Sequence, residues 1–133
     1  MNKLQGKIKS VEVSDSLSIV SISITENIVI SAIVIETPAS SDYLKVGNTI
    51  NVLFKETEVI IGSNEPHAIS LQNRISGSVK IIEKGKLISK ITVATEVGNI
   101  ESIISSKAVE QLNLQEELAV EAMVKLNEIM LSK

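Results

Sequence analysis

The sequence predicts an all-β protein with short helices, built as two tandem OB-like five-stranded β-barrels. Three observations carry that expectation. Apolar residues make up 44% of the 133 positions and are almost all Ile, Val and Leu, while aromatics amount to 2% with no Trp. β-Branched side chains suit half-buried strands. Several runs alternate strictly, with Val20, Ile22 and Ile24 set against Ser21, Ser23 and Thr25, the period of a strand with one buried face. The order of runs is then repeated at a nearly constant spacing. Gly6 matches Gly77, Thr25-Glu26 matches Thr95-Glu96, Leu44 matches Leu114, and Lys55 matches Lys125. The chain is an internal duplication, divided into copies at 1–66 and 67–133.

Taken in order, 4–13 reads as a strand with Ile8 on one face and Val11 and Val13 on the other. That change of phase predicts a bulge. Ser14-Asp15-Ser16 turns the chain into a second strand, 17–25, and Glu26-Asn27 turns it into a third. The third run, 28–35, is apolar on both faces, which places it centrally or at an interface. Thr37-Pro38 then has the N-cap and first-position chemistry of a short helix, expected over 39–44 and ended by Val46-Gly47. Residues 48–54 and 57–61 give the fourth and fifth strands, and Gly62-Ser63-Asn64-Glu65-Pro66 is a turn-rich boundary.

The second copy repeats this order. Strands are expected over 75–82, 87–95 and 100–104, with turns at Glu83-Lys84-Gly85 and Val97-Gly98-Asn99. Ser105-Ser106 caps a helix over 107–112, and 117–124 and 127–131 close the unit. A β-β-β-α-β-β unit has the order of an OB-type barrel. Such small units bury too little surface to be stable alone, so the two are expected to pack on each other or on other chains.

Composition narrows the function classes. A net charge of −3 lacks the basic footprint of a nucleic-acid binder, and scarce aromatics remove its stacking platforms. With no Cys, disulfides, thiolate metal sites and thiol catalysis are excluded. The N-terminus has no signal-type apolar core and 28–35 is too short to span a bilayer, so a cytoplasmic protein without membrane contact is expected. No nucleophile motif, Gly-rich phosphate loop, paired carboxylates or metal-ligand cluster is present in the sequence, which argues against an enzyme. His67, the only histidine, is expected to be a solvated linker residue.

One segment stands out: Ser70-Leu71-Gln72-Asn73-Arg74-Ile75-Ser76-Gly77, with a shortened copy at Asn2-Lys3-Leu4-Gln5-Gly6. It offers a hydroxyl, two amides, a guanidinium and backbone N–H groups that can surround a small anion if the backbone curls into a nest. The same residues also suit a polar linker into a strand. The copies end alike, in Lys55-Glu56-Thr57-Glu58-Val59 and Lys125-Leu126-Asn127-Glu128-Ile129.

These motifs, with Leu44-Lys45-Val46-Gly47 between them, resemble the molybdenum-binding Mop or TOBE domain, and the doubled arrangement resembles its tandem (di-Mop) form, as in the molbindins. The resemblance spans essentially the whole chain. It implies storage or homeostasis of molybdate or tungstate by a homotrimer, with oxyanions held between barrels. Carried over by motif position, the oxyanion-binding candidates are Ser70, Gln72, Asn73 and Arg74 from the opening segment. From the closing segments they are Lys55, Glu56 and Thr57, and Lys125, Leu126 and Asn127, through backbone N–H groups as much as side chains. No side chain is expected to ligate a metal directly. Each site is expected to join an opening segment to the closing segment of a neighbouring barrel. The competing expectation is an OB-type oligomerisation or regulatory module with no ligand of its own.

Overall fold

The phase change between Ile8 and Val11 is where the first strand breaks register. Strand β1 (Asn2–Ser14) pairs with β2 (Leu17–Ser23), and the pairing slips between Ile8 and Ser10. The extra residue lets Ile8 and Val11, opposite Ile22 and Val20, share one side of a bent strand. The second copy slips at the matching place, between Val79 and Ile81, where β6 (Asn73–Lys84) pairs with β7 (Ile88–Thr95). The structure, a computed structural model, describes residues 1–65 and 67–133; Pro66, the last residue of the expected boundary turn, lies outside them.

The remaining strands are β3 (Val29–Val34), β4 (Thr49–Phe54), β5 (Ile60–Ser63), β8 (Gly98–Ser105), β9 (Ala119–Val124) and β10 (Met130–Ser132). They form two five-stranded antiparallel sheets, of order β10-β4-β1-β2-β3 and β5-β9-β6-β7-β8. The all-β, OB-like double fold expected from the sequence is therefore present. The connectivity differs in one respect. The sequence reading gives each copy five strands of its own, whereas the fifth strands are exchanged: β5 pairs with β9 of the second copy and β10 with β4 of the first. The physical consequence is one continuous core. Leu4, Ile22, Ile50 and Phe54 from the first copy, Val59 and Ile61 from the crossing segment, and Ile75, Val93, Val124 and Ile129 from the second belong to a single buried cluster.

Both opening motifs end in Gly for the same reason. A Cβ on Gly6 would lie 2.4 Å from the Ser23 carbonyl oxygen, and one on Gly77 the same distance from the Ala94 oxygen. Only a residue without Cβ lets the curled neighbouring strand pass this close.

Three local expectations are corrected. The first-copy helix over 39–44 is not formed; the chain makes a single turn in which the Ser40 and Ser41 amides donate to the Thr37 carbonyl at 3.0 and 2.9 Å. Ser40 Oγ also donates to that carbonyl and accepts from the Thr37 amide, and such local bonds compete with helix propagation. The second-copy helix does form, as α1 (Ser106–Gln111), with the Ser105 hydroxyl accepting from the Ala108 amide at 3.0 Å. The last strand of each copy starts late. Residues Glu56–Glu58 and Leu126–Glu128 are 3-10 turns, closed by the Glu58 and Glu128 amides donating to the Lys55 and Lys125 carbonyls, both at 3.0 Å. These two closing turns are where each chain segment leaves one sheet for the other.

Finally, the two-sided apolar run 28–35 does not lie centrally. Strand β3 is the edge of its sheet, and the start of β6 and the second closing turn lie against it, with Asn73 bonded to its Ser31 backbone.

Candidate functional site

Register brings the opening and closing motifs together. In the ladder between β6 and β9, Asn73 sits opposite Val124, so Gln72 and Asn73 lie beside Lys125 and the second closing turn. In the ladder between β1 and β4, Asn2 sits opposite Phe54, which places Met1 beside Lys55 and the first closing turn. The candidates thus form two quasi-equivalent clusters at the joint between the sheets. One holds Gln72, Asn73, Arg74, Lys125, Leu126 and Asn127, against β3; Ser70 lies two residues before Gln72, outside the ladder. The other holds Lys55, Glu56 and Thr57, against β8.

Asn73 has a role its motif position does not reveal. It is 2% exposed, its Oδ1 accepts from the Ser31 amide and its Nδ2 donates to the Ser31 carbonyl, both at 2.8 Å. The primary amide reproduces a backbone ladder pair and seals the open edge of β3. Asn2 does the same to Glu101 on β8, with Nδ2 donating to the carbonyl at 2.9 Å and Oδ1 accepting from the amide at 2.8 Å. Each copy therefore holds the other by one asparagine. The Asn73 amide is fully engaged within the chain and is not free to serve an anion.

Arg74 is engaged too. Its Nη2 donates to Glu121 Oε1 at 2.5 Å and to His67 Nδ1 at 2.9 Å. The imidazole must then be unprotonated at Nδ1 to accept. His67 Nε2 lies 3.7 Å from the same Glu121 oxygen. This corrects the expectation for His67: it is half-buried and packed between Arg74 and Glu121, not a solvated linker residue. The sequence carried no signal for this, because Glu121 is distant in sequence and reaches Arg74 only through the strand pairing.

Ser70, Gln72, Lys125 and Asn127 are exposed, and Leu126 is half-buried. The first hydrogen bond of the second closing turn is donated by Glu128, which leaves the preceding Leu126 and Asn127 amides outside the turn's own bonding. Hydroxyl, amide and ammonium donors of Ser70, Gln72, Asn127 and Lys125 therefore face solvent. In the other cluster Lys55 and Thr57 are exposed, while the Glu56 carboxylate accepts from the Met1 ammonium at 2.9 Å. That ammonium holds the Glu56 carboxyl below its ordinary pKa. Lys90 on β7, 3.1 Å from Glu101 Oε2, is held protonated by that carboxylate above the usual lysine range.

The described residues contain no group of three or more His, Asp or Glu placed to hold a metal ion, and no helix among them is long and apolar enough to cross a membrane. What the arrangement offers is hydrogen-bond donation on an open rim, not a closed pocket.

Residues 69–131 match the TOBE domain model. No curated protein matches the chain by sequence. Among solved structures, the cytoplasmic molybdate-binding protein ModG, in a crystal form with molybdate bound, aligns with a TM-score of 0.90 at 24% identity. That alignment covers 98% of this chain and 94% of ModG. MopII from Clostridium pasteurianum, in an apo form, is 32% identical over 44% of this chain and 88% of its own, with a TM-score of 0.42. Residues 69–131 thus belong to the TOBE domain family, and the chain as a whole has the tandem fold of ModG.

Proposed function

We propose that this protein binds molybdate or tungstate in the cytoplasm for storage or homeostasis, holding the anions between barrels of an oligomer, and that the assembly is a homotrimer. The observation that carries this reading is the convergence of an opening segment with a closing turn on the same exposed rim. Ser70, Gln72, Lys125 and Asn127 are exposed donors, and the Leu126 and Asn127 amides are outside the turn's own bonding. A tetrahedral dianion accepts at four oxygens and must be desolvated to bind, so it needs donors from more than one side. A second subunit closes the site. The mostly neutral donor set selects by cavity size against the smaller sulfate. The reaction is binding and release, with no bond made or broken in the anion.

One observation favours the competing module without a ligand. Asn73 and Arg74, two of the four opening-segment candidates, are already taken by Ser31 and by Glu121 with His67. Native mass spectrometry with added molybdate, tungstate or sulfate separates the readings. A trimer that gains discrete molybdate or tungstate masses and ignores sulfate supports oxyanion binding. A trimer that gains none leaves the assembly module, and a monomer that gains none removes both.

A further inference from the structure

The two clusters are alike in backbone and unlike in charge. Asn2 and Asn73 clamp matching edge strands, Lys55 and Lys125 open matching turns, and the turns have the same backbone angles at those lysines, φ −75° and ψ 147° against φ −72° and ψ 146°. At the next position the copies diverge, with Glu56 in the first and Leu126 in the second. The Glu56 carboxylate accepts from the Met1 ammonium at 2.9 Å. An internal anion therefore stands at the position where Leu126 has no polar side-chain atom. Glu101 on β8, the strand packed against this turn, and Glu83 on β6 lie 3.1 and 4.0 Å from the Lys90 ammonium.

From this geometry we infer that Glu56 is a specificity-determining residue that closes the first cluster to oxyanions, so that each chain binds through its second cluster only. A dianion entering the first cluster would meet a carboxylate among the donors it needs and would have to displace it; like charges at contact distance oppose binding. At the second cluster no carboxylate occupies the matching position, and Lys125, like Lys55, is in no ion pair among the described residues. The inference rests on the proposed oxyanion function and specifies which copy performs it.

The test is native mass spectrometry of the full chain with molybdate, comparing the wild type with Glu56→Leu, Glu56→Gln and Leu126→Glu, each checked for unchanged circular dichroism. The expected result is that both Glu56 variants gain about double the number of anions per chain held by the wild type. Leu126→Glu should lose the wild-type anions. Glu56→Gln removes the charge at almost unchanged shape, which keeps the test valid if Glu56→Leu folds poorly. An anion count unchanged in both Glu56 variants, with Leu126→Glu still losing its anions, overturns this inference and leaves the proposed function standing. A wild type that takes up no molybdate overturns both.

Discussion

Replacing Asn73 by Ala tests the assignment of its amide to the joint between the copies. The substitution removes two hydrogen bonds of 2.8 Å to Ser31 from a side chain that is 2% exposed. Each such bond contributes a net ~1 kcal/mol. Leaving the half-buried Ser31 amide and carbonyl short of partners raises the loss to about 2–3 kcal/mol. In a chain of this size 1 kcal/mol moves the thermal midpoint by roughly 3–5 °C, so a fall of about 6–15 °C is expected. Asn73→Asp gives a sharper version. It keeps an acceptor for the Ser31 amide but sets a second oxygen against the Ser31 carbonyl. It should therefore be destabilised at neutral pH and recover as acid protonates the carboxyl. Urea denaturation of the ligand-free protein, with Asn2→Ala as the quasi-equivalent control, reads both effects. If Asn73→Ala leaves ligand-free stability unchanged and weakens only molybdate binding, the side chain is an anion ligand and the clamp reasoning is wrong.

Three further outcomes are expected. Gly6→Ala or Gly77→Ala should each cost about 1–3 kcal/mol of stability by overpacking, read by denaturation, because the new methyl meets a backbone oxygen rather than a flexible side chain. The single tyrosine, Tyr43, donates to the Glu36 carboxylate and is half-buried, and burial followed by that carboxylate pushes its pKa to about 12 from 10.0. Because the folded value is the higher one, the stability it contributes is complete below pH 10.0 and is lost as pH rises through about 12. Ultraviolet titration should show late ionisation in the wild type and an earlier one in Glu36→Gln. Deleting residues 130–133 should expose the edge of β4, so hydrogen exchange should speed up at those amides of Asn51, Val52 and Leu53 that face β10, while the amides facing β1 and the β5–β9 ladder stay protected. Equal protection of β4 in the truncated chain would show that the strand exchange does not matter to that edge.

Much of this was written along the chain. Alternation, β-branched composition and the repeat set the fold class, and the shift of apolar phase at Ile8 placed the bulge, because those signals act between near neighbours on one strand. The helix expected after Pro38 failed for a local reason that composition under-weighted: Ser40 and Ser41 bond to Thr37 and Glu36 instead of continuing a helix.

What the chain by itself determined is therefore which segments are strands, where they bend, and that the pattern occurs twice. Only the tertiary structure decided which sheet each last strand joins, that Asn2 and Asn73 clamp edges of the opposite copy, and that Arg74 is neutralised by Glu121 beside His67. Two equivalent copies offer equivalent partners to every edge, so local sequence cannot choose between a strand's own copy and the other. The choice is made by the closing turns after Phe54 and Val124, which carry the chain across the joint, and by a shared core that is continuous only when both strands cross.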